Sequence, residues 1–307
     1  MHLPNAKIFS YADDTAVVFT GNSWRDAQLS AELGLSVIAS WLAQNLLTLN
    51  VSKTYYICFS VCNHTQPSTD FNLKVHLCDS GDHSHCSCST INRVSQIKYL
   101  GIIVDQRLAW HPHIDQVANR IRKLGWIFRT LRHIVPKNID TPSGRNKNLL
   151  NVIYLALAQS VLLYCISIWG GATKTKLLAL ERAQRALIKC MYFKKRRYCT
   201  ENLYRISNLL TVRKLYITQV VLTKHKSITY DSEILTRRRK YDILKTPQTR
   251  TQFASNQLQK RSAHLYNTIN KRIYIYPKNY YECKKILTEW IKELTYSETE
   301  SLLQQIH

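Results

Sequence analysis

Acidic side chains are scarce in this chain. Its 307 residues hold 20 Asp and Glu against 43 Lys and Arg, a formal net charge of +23. An excess of that size points to a polyanionic partner, most directly nucleic acid, with a solubilising surface as the plainer alternative. An uninterrupted apolar run able to span a bilayer is also lacking. Residues 149–169 have the length, but Asn151, Tyr154, Gln159, Ser160 and Ser167 interrupt them, so the segment reads as a buried core helix and no membrane partner is expected. Met1-His2-Leu3-Pro4-Asn5 has neither the basic nor the apolar region of a secretory leader. Nine cysteines, an odd number without a regular framework, predict reduced thiols, and with them a nuclear or cytoplasmic rather than a secreted chain. Against these absences, hydrophobic residues make up 45% of the chain, which excludes a disordered polypeptide and allows two domains with a sizeable core.

The charge is unevenly placed. Residues 1–108 hold seven Lys/Arg and eight Asp/Glu, a net of −1, whereas residues 109–307 hold 36 and 12, a net of +24. All of the positive excess therefore lies in the second part of the chain.

The stretch Ala6-Lys7-Ile8-Phe9-Ser10-Tyr11-Ala12-Asp13-Asp14-Thr15-Ala16-Val17-Val18-Phe19 sets two short β-branched and aromatic runs around Tyr-Ala-Asp-Asp. This pattern predicts a β-hairpin with adjacent carboxylates at its turn, although the turn lacks the Asn-Gly or Asp-Gly that hairpins favour. Two unit charges about 4 Å apart repel by roughly 4 kcal/mol at an effective dielectric near 20. A divalent cation removes that repulsion, and hard Mg²⁺ prefers carboxylate oxygens together with substrate phosphates. A solvated turn is the bland alternative for Asp13 and Asp14.

Beyond the hairpin, Ser23 and Asp26 form a capping-box pattern, and Ala27, Ala31, Leu35, Ile38 and Leu42 recur at helical spacing. This predicts a helix packed on the sheet that carries the carboxylates. Val51–Phe59 reads as a strand entered at Lys53. In the polar excursion 61–92, Cys78, His83, His85, Cys86 and Cys88 fall close together, but their spacing departs from the usual paired zinc-ligand pattern, so a polar loop is the stronger reading. Tyr99-Leu100-Gly101 follows within an alternating stretch, where the glycine suits either an unusual turn or a bulge.

From His113, Ile114, Val117, Ile121, Leu124, Phe128 and Leu131 predict an amphipathic helix, with Arg120, Arg122, Lys123, Arg129 and Arg132 on other faces. A polar break at 136–148 is followed by the apolar helix 149–169, closed by Gly170-Gly171. A further helix over about 174–193 places Leu180, Leu187 and Met191 inward and Arg182, Arg185 and Lys189 outward. It ends in Lys194-Lys195-Arg196-Arg197, and two more helices are predicted within 200–228. The remainder carries Arg237-Arg238-Arg239-Lys240 and interleaves bases with His264, Tyr266, Tyr274, Tyr276, Tyr280 and Tyr281. Such tyrosines either pack a small core or bind single strands by stacking.

Tyr11-Ala12-Asp13-Asp14 between two apolar strands resembles the catalytic hairpin, motif C, of reverse transcriptases, and its continuation through Phe19 resembles the non-LTR retrotransposon branch. Leu46–Thr54 resembles motif D, Lys98–Asp105 resembles motif E, the primer grip, and Leu108–Ile114 resembles the start of the thumb. The four occur in family order, and the resemblance covers roughly residues 5–230. It implies an α+β fold: a partial right-hand polymerase palm over 1–108, a mainly helical thumb and post-thumb region over 109–228, and a basic helical C-terminal region over 229–307. It also implies an RNA-directed DNA polymerase that handles an RNA template and a DNA primer duplex, with Asp13 and Asp14 as Mg²⁺ ligands. Lys53 would lie near the departing pyrophosphate, and Tyr99, Leu100 and Gly101 would form the primer grip. Arg120, Arg122, Lys123, Arg129, Arg182, Arg185 and Lys189 would contact nucleic-acid phosphates. No small-molecule cofactor beyond a deoxynucleotide substrate is implied. The family's chemistry uses a third aspartate, from motif A, and no acidic residue precedes Asp13 here. The expectation is a truncated chain, inactive by itself, or alternatively a nucleic-acid-binding remnant without catalysis.

Overall fold

In the computed structural model, which describes residues 6–60, 66–68, 70–75, 88–134, 145–228, 243–248 and 258–304, the two apolar runs around Tyr-Ala-Asp-Asp pair with each other. Strands β1 (Ala6–Tyr11) and β2 (Asp14–Phe19) form an antiparallel hairpin in which Tyr11 faces Asp14 and Ala6 faces Phe19. Helix α1 (Trp24–Gln44) follows at once. Ser23 accepts from the Asp26 amide at 3.1 Å, and the Asp26 carboxylate accepts from the Ser23 amide at 3.1 Å, so the expected capping box is formed. Gly34 on α1 lies directly against the Phe19 ring; a side chain there would overlap the ring, and its absence lets the helix seat against β2.

The chain is α+β and divides into two compact units, residues 1–110 and 111–307. In the first, Ala31, Cys58, Phe71 and Leu73 form one core cluster with Phe19, Trp24, Leu35 and Tyr56 against it, and Ala39, Val75 and Ile91 form a second. The expected strand over Val51–Phe59 is not continuous. Asn50 accepts from the Lys53 amide at 3.2 Å and winds Val51–Lys53 into a 3₁₀ turn, leaving β3 as Tyr55–Tyr56 alone. The edge of β3 pairs in parallel with β5 (Thr90–Arg93), which pairs antiparallel with β4 (Leu73–Lys74). A separate hairpin joins β6 (Gln96–Tyr99) to β7 (Ile102–Asp105). The described strands thus form three small sheets rather than one continuous sheet.

The second unit is helical. In α2 (His111–Ile134) the expected stripe is inward: Ile114, Val117, Ile121 and Phe128 are buried. The apolar segment expected as one helix is instead broken. It runs as α3 (Arg145–Tyr154), a π-helical stretch Leu155–Gln159, α4 (Ser160–Leu163) and α5 (Ile166–Trp169), with Cys165 at φ 50° between the last two. Two polar anchors accompany the interruption. The Tyr154 hydroxyl accepts from Gln184 at 2.9 Å, and the buried Trp169 indole donates to the Tyr164 carbonyl at 2.9 Å. Gly170 and Gly171 close the segment, but Gly170 has φ −69°, so left-handed freedom is not its purpose. A β-carbon on Gly170 would stand 2.7 Å from the Tyr216 ring, so close approach is what requires glycine.

Next come α6 (Lys174–Met191), α7 (Thr200–Ser207), α8 (Val212–Lys226), α9 (Leu258–Ile273), α10 (Tyr280–Glu293) and α11 (Tyr296–Gln304). Both helices predicted within 200–228 are present. Buried polar groups fasten these elements. Gln184 donates to Tyr154 and to the Leu210 carbonyl, each at 2.9 Å, and accepts from the Tyr204 hydroxyl at 2.9 Å and the Val212 amide at 3.2 Å. Burial pushes the Tyr154 phenol up to about 12, so it stays neutral in this network. Arg213 on α8 bridges Glu181 of α6, at 2.6 Å, and Glu300 of α11. Lys214 donates to the carbonyls of Lys292 and Leu294 at 2.9 and 2.7 Å, covering the open carbonyls at the end of α10.

The described cysteines, Cys58, Cys88, Cys165, Cys190, Cys199 and Cys283, are free thiols. Among the described residues no helix is long and apolar enough to cross a membrane.

Candidate active site and nucleic-acid interface

The tip of the first hairpin is the two-residue turn Ala12-Asp13, with Ala12 in the left-handed region at φ 52°. This conformation is uncommon for a residue bearing a β-carbon. It puts Asp13 on the turn itself and Asp14 at the first position of β2, both exposed. Ser10 and Thr15, the next pair down the ladder, share a hydroxyl hydrogen bond at 3.0 Å that braces the tip from below. The arrangement presents two adjacent hard-oxygen donors to solvent on a short, register-fixed support. That donor set suits a hard divalent cation, with other oxygen ligands completing its shell. Among the described residues no group of three or more His, Cys, Asp and Glu side chains converges on a metal-binding arrangement, so no third acid joins Asp13 and Asp14 there.

Lys53 is exposed at the last position of the 3₁₀ turn, held by the Asn50 cap. Tyr99, Leu100 and Gly101 form the tip of the β6–β7 hairpin. Leu100 at φ 45° and Gly101 at φ 82° are both left-handed, the pattern of a type I′ turn, which glycine satisfies and leucine strains. Tyr99 and Leu100 are half-buried and Gly101 is exposed.

Sequence reasoning missed the residue that fixes the exit from this hairpin. Asp105, buried at the end of β7, accepts from the amides of Arg107 at 3.1 Å, Ala109 at 3.0 Å and Trp110 at 2.7 Å. It closes a tight turn in which Leu108 and Trp110 both have positive φ. The available signal was an acidic residue ending an apolar strand, a common turn-capping position.

On α2, Arg120, Arg122, Lys123 and Arg129 are all exposed. They do not share one side. Arg122 and Arg129 are a heptad apart and nearly align, whereas Arg120 and Lys123 are spaced i, i+3 on the opposite flank of the exposed surface. On α6, Arg182, Arg185 and Lys189 fall at i, i+3 and i+7, a single stripe. Arg182 is exposed, Arg185 is half-buried, and the Lys189 ammonium turns to the Arg196 carbonyl at 2.7 Å. Lys194, Lys195, Arg196 and Arg197 are exposed just beyond it. Tyr266 and Tyr276 are core residues, 0% and 2% exposed, whereas Tyr274 is 39% and Tyr281 81% exposed. Cys78, His83, His85, Cys86 and the run Arg237–Lys240 lie outside the described residues; Cys88 is half-buried.

The chain is similar to curated proteins of mobile elements. A probable RNA-directed DNA polymerase from transposon BS of Drosophila melanogaster is 26% identical over 217 residues, 68% of this chain and 21% of that protein. The RNA-directed DNA polymerase from mobile element jockey of Drosophila funebris is 23% identical over 189 residues, 59% of this chain and 18% of that protein. A retrovirus-related Pol polyprotein from type-1 retrotransposable element R1 3 of Nasonia vitripennis is 25% identical over 184 residues, 59% and 43% respectively. The chain spans about a fifth of the length of the first two relatives and under half of the third. No family model matches the chain and no solved structure does. The chain is related to the reverse transcriptases of non-LTR retrotransposons.

Proposed function

We propose that this chain contributes to RNA-directed DNA synthesis as the carboxylate hairpin, primer-grip hairpin and nucleic-acid-binding helices of a retrotransposon reverse transcriptase. The observation that carries the reading is the Tyr-Ala-Asp-Asp turn, which holds two exposed adjacent carboxylates on a strained hairpin tip in a chain whose relatives are named RNA-directed DNA polymerases. Residues 1–108 act as a partial palm, 109–228 as a thumb and post-thumb region, and 229–307 as a basic C-terminal region. Asp13 and Asp14 hold Mg²⁺, which supplies charge stabilisation for phosphoryl transfer when bound. Lys53 faces the leaving pyrophosphate as a general acid. Tyr99, Leu100 and Gly101 lie under the primer end, and the strain at Leu100 is the cost of presenting that tip. The exposed cations of α2 and α6 neutralise phosphates of the template–primer duplex without reading bases. The exposed cations of α2 and α6 support duplex binding, and among the described residues no third acid stands beside Asp13 and Asp14, so the 307-residue chain by itself binds duplex and does not extend primers.

The test is a salt titration of the full chain against a fluorescent RNA–DNA hybrid, with a primer-extension assay beside it. Affinity is expected to fall with a log–log slope of about −0.9 per phosphate neutralised. Replacing Arg122 and Arg129 by Ala should weaken binding on every sequence alike and flatten the slope by roughly 1 to 2. Asp13→Ala should leave binding unchanged. Absence of hybrid binding at about 50 mM salt would overturn the nucleic-acid reading. Asp13-dependent incorporation of deoxynucleotides by the chain alone would overturn the predicted inactivity.

A further inference from the structure

One end of the helical unit carries a feature that duplex binding does not use. Where α8 ends, the segment linking α9 to α10 runs past it. His225, Lys226, Ile228, Pro277, Asn279 and Tyr280 line an open surface cavity of about 550 Å³. His225 forms its wall and is not free to bind. Its Nδ1 meets the Tyr266 hydroxyl at 2.8 Å and its Nε2 the Lys278 carbonyl at 2.9 Å. The Lys226 ammonium lies 4.4 Å from the centre of the Tyr280 ring, which leaves a cation at the cavity with its charge on an aromatic face.

Tyr281 stands beside this cavity, its ring edge-on to Tyr280 with centroids 5.7 Å apart and planes at 77°. It is 81% exposed, in a region where Tyr266 and Tyr276 are fully used in the core. Its ring is therefore presented and not packed. The flanking sequence is predominantly cationic. Residues 258–285 hold Lys260, Arg261, Lys271, Arg272, Lys278, Lys284 and Lys285 against the single acid Glu282, and Lys271, Arg272, Lys284 and Lys285 are exposed.

We propose that this end of the helical unit is a second nucleic-acid site, one that takes a single-stranded segment. A base stacks on the Tyr281 ring, its neighbour occupies the cavity beside Tyr280, and Lys226 with the flanking cations holds the intervening phosphates. A duplex cannot use the site in this way, because its bases are already stacked within the helix and present only their edges. Every unpaired base offers a π-face, so the site is sequence-tolerant. The inference rests on the reading of nucleic acid as the partner, and it adds a surface separate from the basic stripes of α2 and α6.

The experiment compares a short fluorescent oligouridine with an RNA–DNA hybrid, using the full chain. Tyr281→Ala should weaken oligouridine binding about 5- to 150-fold, the range for loss of one stacked base, and leave hybrid binding unchanged. Tyr281→Phe should retain both, since the ring and not the hydroxyl does the stacking. Lys226→Ala should flatten the salt slope for oligouridine by about 0.7. Since Tyr281 is exposed, circular dichroism should show the same thermal midpoint for all variants. Unchanged oligouridine binding by Tyr281→Ala, an equal loss on the hybrid, or a Tyr281→Phe variant as weak as the alanine would each overturn the site. If the wild-type chain binds the hybrid with the expected salt slope while Tyr281→Ala has no effect, only this inference falls. If it binds neither probe, the nucleic-acid reading falls with it.

Discussion

Asp105 is the perturbation with the sharpest local consequence. One carboxylate receives three backbone amides, from Arg107, Ala109 and Trp110, and the turn it closes holds Leu108 at φ 49° and Trp110 at φ 63°. A hydrogen bond to an ionised group contributes about 1.5–3 kcal/mol. A left-handed L-residue costs roughly 1–2 kcal/mol. Removal of the carboxylate withdraws all three acceptors and leaves the strain unopposed. The amides share one acceptor group and the turn can open to water, so the full sum is not reached. Asp105→Ala should destabilise the first unit by about 3 kcal/mol. Asp105→Asn keeps one carbonyl oxygen but sets an NH₂ group against one of the amide donors, so about half that loss is expected. Hydrogen exchange read by mass spectrometry over residues 102–110, with urea denaturation alongside, measures both effects. Exchange at the three amides should accelerate in the order wild type, Asn, Ala. Unchanged exchange in Asp105→Ala would refute the assignment of this carboxylate as the lock on the turn after the β6–β7 hairpin.

Two further outcomes concern the helical unit. Gln184→Leu strands two tyrosine hydroxyls, the Leu210 carbonyl and the Val212 amide in the interior; a loss of about 3–5 kcal/mol in denaturant unfolding is expected, with Tyr204→Phe costing about 1 kcal/mol. Stability should also fall in mild acid. Burial holds His225 below its ordinary value, partly offset by its hydrogen bond to the Lys278 carbonyl, and burial with nearby Arg120 does the same to His113. Groups depressed on folding contribute their stability above the unfolded value near 6.5 and lose it as the pH drops through the lower folded value. The urea midpoint of the helical unit should therefore decline between about pH 7 and pH 5, less so in His225→Gln; a rise over that interval would contradict the assignment.

What could be read from the sequence was periodic or local. The Ser23–Asp26 box, the α2 stripe and the inward positions of α6 all follow from spacing within one element, and all are found. The hairpin around Asp13 and Asp14 was readable because two short β-branched and aromatic runs flank a short link. Features set by individual side-chain hydrogen bonds were not. The π-helical stretch after Tyr154 and the break at Cys165 lie between two hydrogen-bonded side chains, Tyr154 held by the distant Gln184 and Trp169 by the nearby Tyr164 carbonyl. Val51–Phe59 looked like a strand because its residues favour one, yet the side chain of Asn50 imposes a turn first. At the candidate site, the residue types in the turn and the spacing of the α2 cations on two flanks were legible, but the left-handed turn at Ala12 was not. The role of Asp105 depends on three amides beyond it in the chain, which no pattern of hydrophobicity reports.

The first hairpin has only two strands among the described residues, and β1 is exposed along most of its length. Each outer rim therefore keeps a row of open amides and carbonyls, with Ile8, Phe9 and Val18 uncovered nearby. Such a rim is a ready template for another extended segment, and Lys7 is the one charged side chain on β1 that discourages it. Crowding during expression or concentration will consequently favour strand-to-strand association through this rim, and added charge at Ile8 or Val18 is the natural means of keeping preparations monomeric.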